Sequence, residues 1–456
     1  MGKWTRRAFI TTGVLASGVV VFGVAIRRGD RTDKVSALVA DEGDTLLDIW
    51  LKISPDNMVT AIVPHAEMGQ GVHTALAMML ADELDADWSK VEVLEAPADK
   101  EYANYALARG FAAGDVDFPA WLVDTVDGIF FRATQAMGLQ ITGGSMSVRL
   151  TGQLAMRVTG AAARFALLGA AAEAWQVPVA ELTTRDSMVM HEASGRSATY
   201  ASLAPAAAEQ PLPDKPPLKN PDEFRIMGTS RPRDDIPPKV DGSAMFGIDA
   251  MLPGMKHAAI KAAPVFGGAV ISVDPASVQA MPGVRKVINL DDAVAVIADG
   301  YWQAKTALDA LDVEFSDGGN SAVEQGAIFA WFSSDLDRSA AAGDEEIDLE
   351  AGDAPAALER ASQLVEAEYR VPYLAHSPME PMNCTAWVHD DQCELWTGTQ
   401  NPLRFAKDVA DALDMEVEQV TVHNQYLGGG FGRRAFDDFA VQAARLAADV
   451  MDVPSL

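Results

Sequence analysis

The chain of 456 residues has only two cysteines, Cys384 and Cys393. An iron–sulfur cluster generally needs four thiolates. This chain cannot hold one alone, so any one-electron relay must sit on a partner. Histidine is also scarce, and no His-Glu-x-x-His occurs. His65 and His73 are spaced unlike any common zinc-ligand pair, which sets aside a secreted zinc enzyme. Basic residues are outnumbered, 36 Lys and Arg against 65 Asp and Glu. A nucleic-acid surface needs clustered positive charge, so that class is excluded as well. No glycine-rich loop is followed by Gly-Lys-Ser/Thr, and none has the dinucleotide spacing. With 49% hydrophobic residues, disorder and coiled coil are poor descriptions of the whole. The cysteines flank a hairpin with turn His389-Asp390-Asp391-Gln392, whose register does not set them opposite each other; a disulfide is allowed but not indicated.

The first thirty residues differ from the rest. Lys3, Arg6 and Arg7 precede an apolar run from Ala8 to Ile26, closed by Arg27 and Arg28. Thr5-Arg6-Arg7-Ala8-Phe9-Ile10 resembles a twin-arginine export signal, which implies a periplasmic location. An ordinary membrane helix is the competing reading, because the run is almost long enough to span. Ser36-Ala37-Leu38-Val39-Ala40 offers a cleavage site; retention as an N-terminal membrane anchor is the alternative.

Residues 29–45 read as a polar tether. Strand patterns cover Leu46 to Val63 and Val91 to Leu94, around a helix at 70–85. Residues 100–140 look irregular, and 150–176 form a long helix. A first domain is therefore expected over 46–210. Prolines crowd 204–238, so 211–227 reads as a linker. A small α/β domain is expected over 228–318. Its strands are near 255–260, 270–273, 284–290, 293–298 and 311–315, with a helix at 301–311. Residues 319–364 read as an acidic connector, and 365–456 as a third domain with helices at 406–413 and 440–450.

Four segments carry chemistry. In Glu67-Met68-Gly69-Gln70-Gly71-Val72-His73-Thr74, glycines flank a glutamine at a helix start. Glycine lets backbone approach a ligand, and the helix start favours an anion; a plain tight turn is the competing reading. Thr142-Gly143-Gly144-Ser145-Met146-Ser147 precedes the long helix, where hydroxyls either cap the helix or bind phosphate. Gly428-Gly429-Gly430-Phe431-Gly432-Arg433-Arg434 strings together glycines that persist where a ligand or another backbone passes close; its arginines either pair with phosphate or face solvent. In Leu395-Trp396-Thr397-Gly398-Thr399-Gln400-Asn401-Pro402, a strand ends at an amide just before a helix whose first turn holds Pro402.

Together, and in this order, these segments resemble the molybdenum-binding subunit of the xanthine dehydrogenase and aldehyde oxidase family. The resemblance is to the branch typified by isoquinoline 1-oxidoreductase beta subunits, with Met-Gly-Gln-Gly at 68–71 and Gly-Gly-Gly-Phe-Gly at 428–432. The entry to a small domain at Gly228–Gly254 and the segment His376-Ser377-Pro378-Met379-Glu380-Pro381 fit as well. The resemblance implies an α+β, multi-domain fold: two molybdopterin-binding α/β units, the second incomplete, flanking a hammerhead-type α/β domain. It implies that Gly69, Gln70 and Gly71 contact the pterin or the metal's oxo group. Gly144, Ser145, Met146 and Ser147 would form the phosphate turn, and Gln400 would stand beside molybdenum. Gly430, Phe431 and Gly432 would bring backbone to the metal's oxygen, with Arg433 adding charge at the phosphate end. No direct protein ligand to the metal is expected.

The implied cofactor is molybdopterin with Mo, taken in its cytosine dinucleotide form. The implied partners are a small [2Fe-2S] subunit, a downstream acceptor such as a c-type cytochrome, and a small-molecule substrate. The implied chemistry is hydroxylation of an N-heterocycle, or oxidation of an aldehyde, with oxygen from water and a carboxylate as base. That glutamate belongs in a Gly-Glu-x-Gly-like segment expected beyond Leu456, so no base is assigned. Glu67 and Glu380 are expected to be hydrogen-bonding or surface residues. A truncated gene, a split subunit and an inactive or assembly-only cofactor-binding fragment are the three explanations weighed.

Overall fold

The computed structural model describes residues 28–114, 116–213, 215–344 and 349–450. The twin-arginine segment and the Val453–Leu456 end lie outside them. The described chain forms two compact units. The larger comprises the chain up to Met251 together with the stretch from His376 onward, and the smaller is Leu252–Ala375.

In the larger unit, strands β1 (Thr45–Asp48), β2 (Leu51–Ile53), β3 (Val59–Val63) and β4 (Val91–Glu95) form one sheet in that order. The alternation at Leu47, Ile49 and Leu51 resolves into an antiparallel β1–β2 pair rather than one strand. All five residues of β3 are buried, as suits a central strand with both faces covered. β3 and β4 are parallel, so a crossover must join them. The helix Val72–Leu84 does this. The helix Gly144–Trp175 packs against it; a Cβ at Gly160 would lie 2.3 Å from the Leu80 carbonyl oxygen. Only glycine permits that approach. This is the one helix among the described residues long and apolar enough to cross a membrane, and here it belongs to the core. Strands β5 (Thr183–Arg185), β6 (Met188–His191) and β7 (Arg196–Thr199) form a small antiparallel sheet beside it.

The second part of this unit repeats the plan. β13 (Thr385–His389) and β14 (Gln392–Thr397) make the expected hairpin, with His389 opposite Gln392 and Val388 opposite Cys393. Asp390 and Asp391 both have positive φ, as a two-residue turn of this kind requires. Both cysteines are free. The helix Pro402–Leu413 then leads to β15 (Val420–Asn424), parallel to β14, and the helix Asp438–Val450 follows. Phe405, Val409, Leu395 and Ala444 are buried together in this core.

The smaller unit holds β8 (His257–Ala262), β9 (Val270–Val273), β10 (Val284–Asn289), β11 (Ala293–Ala298) and β12 (Val313–Phe315). Its sheets run β10-β11-β8 and β12-β9. The fully buried β11 packs with Ala304, Ala307 and Leu308 of the helix Tyr301–Ala310. These elements agree with the expected mixed α/β domain.

Several expectations are corrected. The tether at 29–45 is largely a helix, Arg28–Val39, with Val35 buried and Arg31 paired with Glu101. The irregular 100–140 stretch holds two helices, Tyr105–Ala113 and Ala120–Ala136. The helix Tyr200–Ala208 contains Pro205, so the proline-rich stretch begins inside a helix. The linker at 211–227 is clamped at its end: the buried Asp82 carboxylate accepts from the backbone N–H of Arg225, Ile226 and Met227. Residues 228–251 belong to the larger unit rather than to the small domain. They are held by Arg233, which donates to the Gly69 carbonyl at 2.9 Å, and by Asp234, which bonds Thr74. The small unit extends to Ala375, so the last segment of the larger unit opens at His376, not 365.

Candidate functional site

Parallel strands joined by crossover helices leave their loops at the carboxyl ends of the strands, the usual position for ligands in α/β units. Three of the four chemistry-bearing segments are such loops. The 64–71 loop follows β3, the 398–401 loop follows β14, and the 425–434 loop follows β15. The fourth, at 142–147, opens the helix Gly144–Trp175.

These loops are fastened to one another. Gln400, 4% exposed, donates from Nε2 to the Thr142 carbonyl at 3.0 Å and accepts at Oε1 from the Gly432 N–H at 3.0 Å. The Thr142 N–H donates to the Gln400 carbonyl at 2.7 Å, and the Thr142 hydroxyl accepts from the Ala66 N–H at 2.9 Å. The Leu427 N–H donates to the Glu67 carbonyl at 3.2 Å. Packing agrees with the bonding. A Cβ at Gly430 would lie 2.5 Å from Met68 Sδ and 2.7 Å from Gln400 Oε1. The four segments therefore meet in one place, within one unit.

The two glutamines serve differently. Gln70 is exposed and folds onto its own loop: Nε2 donates to the Ala66 carbonyl, and Oε1 accepts from the Met68 N–H at 2.7 Å. Gln400 is the tie between loops, with both ends of its amide in use. Their loops converge, and each amide is taken up in holding backbone.

What the loops leave open is backbone. A Cβ at Gly69, Gly143, Gly144 or Gly432 would meet nothing within 4 Å. Gly69, Gly144, Phe431 and Gly432 all have positive φ, a conformation uncommon for a phenylalanine. The Phe431 side chain is 70% exposed. The N–H groups of Gly144 and Ser145 open a helix, where donors lack intrahelical acceptors, and among the described residues neither has another acceptor. The Gly143 N–H is taken by Ser147 Oγ at 2.8 Å. Ser147, wholly buried, is thus a prop for the turn, while Ser145 is exposed and Met146 half-buried.

Four buried ionic residues, Glu67, Asp235, Glu380 and Arg434, shape these loops. Glu67, fully buried, accepts from the N–H of Gly69 at 2.9 Å, Gly71 at 3.0 Å and His73 at 3.3 Å. Arg233 lies 3.4 Å from the same carboxylate. Arg233 and Lys239 also grip the buried Asp235; burial alone would raise its pKa, but these hydrogen bonds and charges outweigh it and hold the carboxyl down at about 2. Under the second loop pair, Arg434 is wholly buried. It donates to the carbonyls of Gly429, Gly398 and Glu380 and to Glu380 Oε2 at 2.8 Å. Glu380 also accepts from the Gly428 N–H at 2.9 Å. Glu67 and Glu380 are therefore hydrogen-bonding residues, as expected. The Arg433 guanidinium makes two 2.7 Å bonds to Asp438. The signal for Glu67 was available in part, since it stands just before a glycine-rich turn; Glu380 has no glycine near it in sequence.

Beside this centre, His65 Nε2 lies 2.8 Å from Thr151 Oγ1. Burial and the neighbouring His73 push His65 down to about 3, so it is neutral. His73 moves the other way: burial opposes its charge, but the Glu95 hydrogen bond raises its pKa. Among the described residues no cluster of His, Cys, Asp or Glu could hold a metal ion.

Comparison with known proteins agrees with this geometry. Two family models described as molybdopterin cofactor-binding domains match residues 16–109 and 338–454. The isoquinoline 1-oxidoreductase beta chain of Brevundimonas diminuta is 31% identical, over 97% of this chain and 58% of its own length. A membrane-bound aldehyde dehydrogenase [pyrroloquinoline-quinone] of Gluconacetobacter polyoxogenes is 30% identical, over 96% of this chain and 53% of its own. A nicotinate dehydrogenase subunit of Pseudomonas putida is 27% identical, over 89% of this chain and 31% of its own. The chain spans about half the length of the first two relatives and less of the third. With molybdopterin cofactor-binding models matched at two places and alignment along nearly its whole length to a large subunit, the chain belongs to the molybdenum hydroxylase family.

Proposed function

We propose that this chain is the cofactor-holding part of an exported oxidoreductase. Its substrate would be an N-heterocycle or an aldehyde, the classes named by its relatives. The observation that carries the reading is the bare backbone where the loops meet. Gly69, Gly144 and Gly432 have room beyond their Cα atoms, and the helix N-terminus at Gly144 presents N–H donors suited to a phosphate. These residues fit an anionic, polycyclic group. Gly144 and Ser145 would hold its phosphate end, and the backbone at Gly69–Gly71 and Gly430–Gly432 would line its ring system. Gln400 and Thr142 would keep the four segments in register. Once bound, the group would supply the redox centre at which water-derived oxygen is added to an electron-poor carbon. This chain's residues would bind and orient the group, and no base is assigned among the described residues. Glu67 and Glu380 both face donors that keep their oxygens engaged.

The finer parts of the reading rest on the family resemblance: a cytosine dinucleotide form of molybdopterin, a small [2Fe-2S] subunit, a c-type cytochrome or similar acceptor, a hammerhead-type arrangement for the smaller unit, and twin-arginine export to the periplasm. The shortage of thiols supports a separate cluster-bearing partner. The engaged carboxylates favour one further reading, a cofactor-binding part without turnover of its own.

The test is metal and cofactor analysis of the full chain purified from a host that makes molybdopterin. One molybdenum and one pterin per chain are expected, and Gly430→Ala should lose most of both. Turnover of an N-heterocycle or aldehyde with a dye acceptor separates the enzyme from the binder. Pyrroloquinoline quinone without molybdenum, or no cofactor at all, would overturn the proposal.

A further inference from the structure

The helix Arg28–Val39 is built into the larger unit. Val35 and Val39 lie in its core, and Arg31, itself buried, meets Glu101 at 3.2 Å. The Arg31 guanidinium also stands over the rings of Tyr105 and Phe131, 5.5 and 4.1 Å from their centroids. Those rings belong to the helices Tyr105–Ala113 and Ala120–Ala136, and they pack edge to face. Cleavage after Ser36-Ala37-Leu38-Val39-Ala40 would therefore strip a packed helix from the fold. The apolar run Ala8–Ile26 ends five residues before Arg31, at most about 18 Å of chain. The run thus joins the fold beside these two helices. The outward face of Ala120–Ala136 is formed by Trp121, Thr125, Ile129, Arg132 and Ala136, which recur every three or four positions and are all exposed, Trp121 by 79%. This stripe holds no carboxylate and one cation, in a protein with 65 acids against 36 bases. Asp127, off the stripe, pairs with Arg109 at 2.7 Å. Phe111 and Val116, just before the helix, are also exposed. An ordinary surface helix turns its charged residues outward. This one turns out an indole, an isoleucine and an arginine, residue types suited to a membrane–water interface.

We propose that this face, with Phe111 and Val116, lies on a lipid bilayer, held there by the retained apolar run Ala8–Ile26. Two observations select lipid as the occupant. The run is almost long enough to span a bilayer, is bracketed by Arg6-Arg7 and Arg27-Arg28, and meets the fold next to this face. The face itself lacks the carboxylates that anionic headgroups would repel. Trp121 and Ile129 enter the boundary between headgroups and acyl chains, to a depth of roughly 5–10 Å. Arg132 stays at the level of the lipid phosphates, where its charge remains solvated.

The proposal rests on neither the cofactor nor the reaction, and its test uses neither. The full chain is made in a bacterium with the twin-arginine pathway and reconstituted into vesicles of phosphatidylethanolamine and phosphatidylglycerol. Intact mass should show that the vesicle-bound chain keeps residues 8–26. A polarity-sensitive fluorophore is placed on Thr125→Cys, an exposed site, and the parent taken through the same labelling corrects for Cys384 and Cys393. Acyl chains brominated near the headgroup should quench the probe at least about twofold, since a face seated at that boundary meets them. Adding Trp121→Glu and Ile129→Glu changes two exposed side chains, so the unfolding midpoint should match the parent. That variant should lose most of the quenching while staying on the vesicles through the apolar run. The proposal is overturned by a mature chain that lacks 8–26 or does not bind the vesicles, by a probe that bromine does not quench, or by quenching that the double glutamate leaves unchanged. It is also overturned if residue 125 cross-links to its counterpart in a second copy with the probe shielded from lipid.

Discussion

Arg434 Nη2 stands 2.8 Å from Glu380 Oε2, with both side chains buried beneath the glycine-rich loop. The pair does more than cancel charge, because Arg434 also satisfies the carbonyls of Gly429 and Gly398. Removing one partner of a buried pair leaves an uncompensated charge and costs about 3–5 kcal/mol. Glu380→Leu or Arg434→Met alone should therefore lower stability by about that amount. Lysine at 434 should rescue little, since it lacks the planar fork that spans four acceptors. The double variant should recover part of the loss. Urea unfolding of the four proteins measures this; singles within about 1 kcal/mol of the parent would mean that the pair is not structural.

Glu67 has the same relation to the first loop. Its two oxygens collect three backbone N–H groups and face Arg233. Glu67→Gln keeps the shape but removes the charge and turns one acceptor into a donor. Hydrogen bonds to charged groups are worth about 1.5–3 kcal/mol each. Loss of at least one is expected, seen as faster amide exchange at Gly69 and Gly71 with β3 unaffected. Unchanged exchange at both glycines would show that the loop holds its shape without the carboxylate.

The segments legible in the sequence were those whose signal is local. Alternation and turn residues marked β9, β11 and the β13–β14 hairpin; glycine-rich turns marked three of the loops that meet at the site, and a strand-end amide before Pro402 marked the fourth. What was not legible depends on partners far along the chain. The helix Arg28–Val39 is polar enough to read as a tether, and its burial rests on Arg31 meeting Glu101 seventy residues away. The 228–251 stretch looked like the start of a new domain, but Arg233 and Asp234 tie it to Gly69 and Thr74. Gln70 and Gln400 were both read as amides at the cofactor. Which one faces solvent and which one ties loops together depends on Thr142 and Gly432, and no local pattern encodes that. Residues 365–373 show the reverse: a clear strand pattern that joins no sheet among the described residues.

Gly430 should tolerate no side chain. Its Cβ position is 2.5 Å from Met68 Sδ and 2.7 Å from Gln400 Oε1. A methionine tip can swing away, but Gln400 is held at both ends. Overpacking of this kind costs about 1–3 kcal/mol, so Gly430→Ala should fall in that range. Adding Met68→Ala should relieve only the methionine part. If the double variant were as stable as Met68→Ala alone, the Gln400 tie would not be a rigid element.

Asp437 and Asp408 share a hydrogen bond between carboxyl groups, next to Arg404. Burial, then Asp408, push Asp437 up to about 7. The sign follows from which state binds the proton. Below the ordinary carboxyl range both folded and unfolded chains are protonated at this site, and the contribution is fully present. Between that range and about pH 7 the unfolded chain releases its proton while the folded chain keeps it, so stability falls as pH rises. Above that the loss is complete and constant. Asp437→Asn removes the titration, keeps the Asp437 carbonyl as acceptor for the N–H groups of Ala440 and Val441, and leaves a side chain able to bond Asp408. The variant should unfold at a higher temperature than the parent at pH 8, and the gap should close as the pH falls toward 4. A gap that stayed constant over this range would mean that the two carboxyls do not share a proton. A gap that widened toward acid would mean that Asp437 is ionised in the folded chain, with Arg404 as its dominant neighbour.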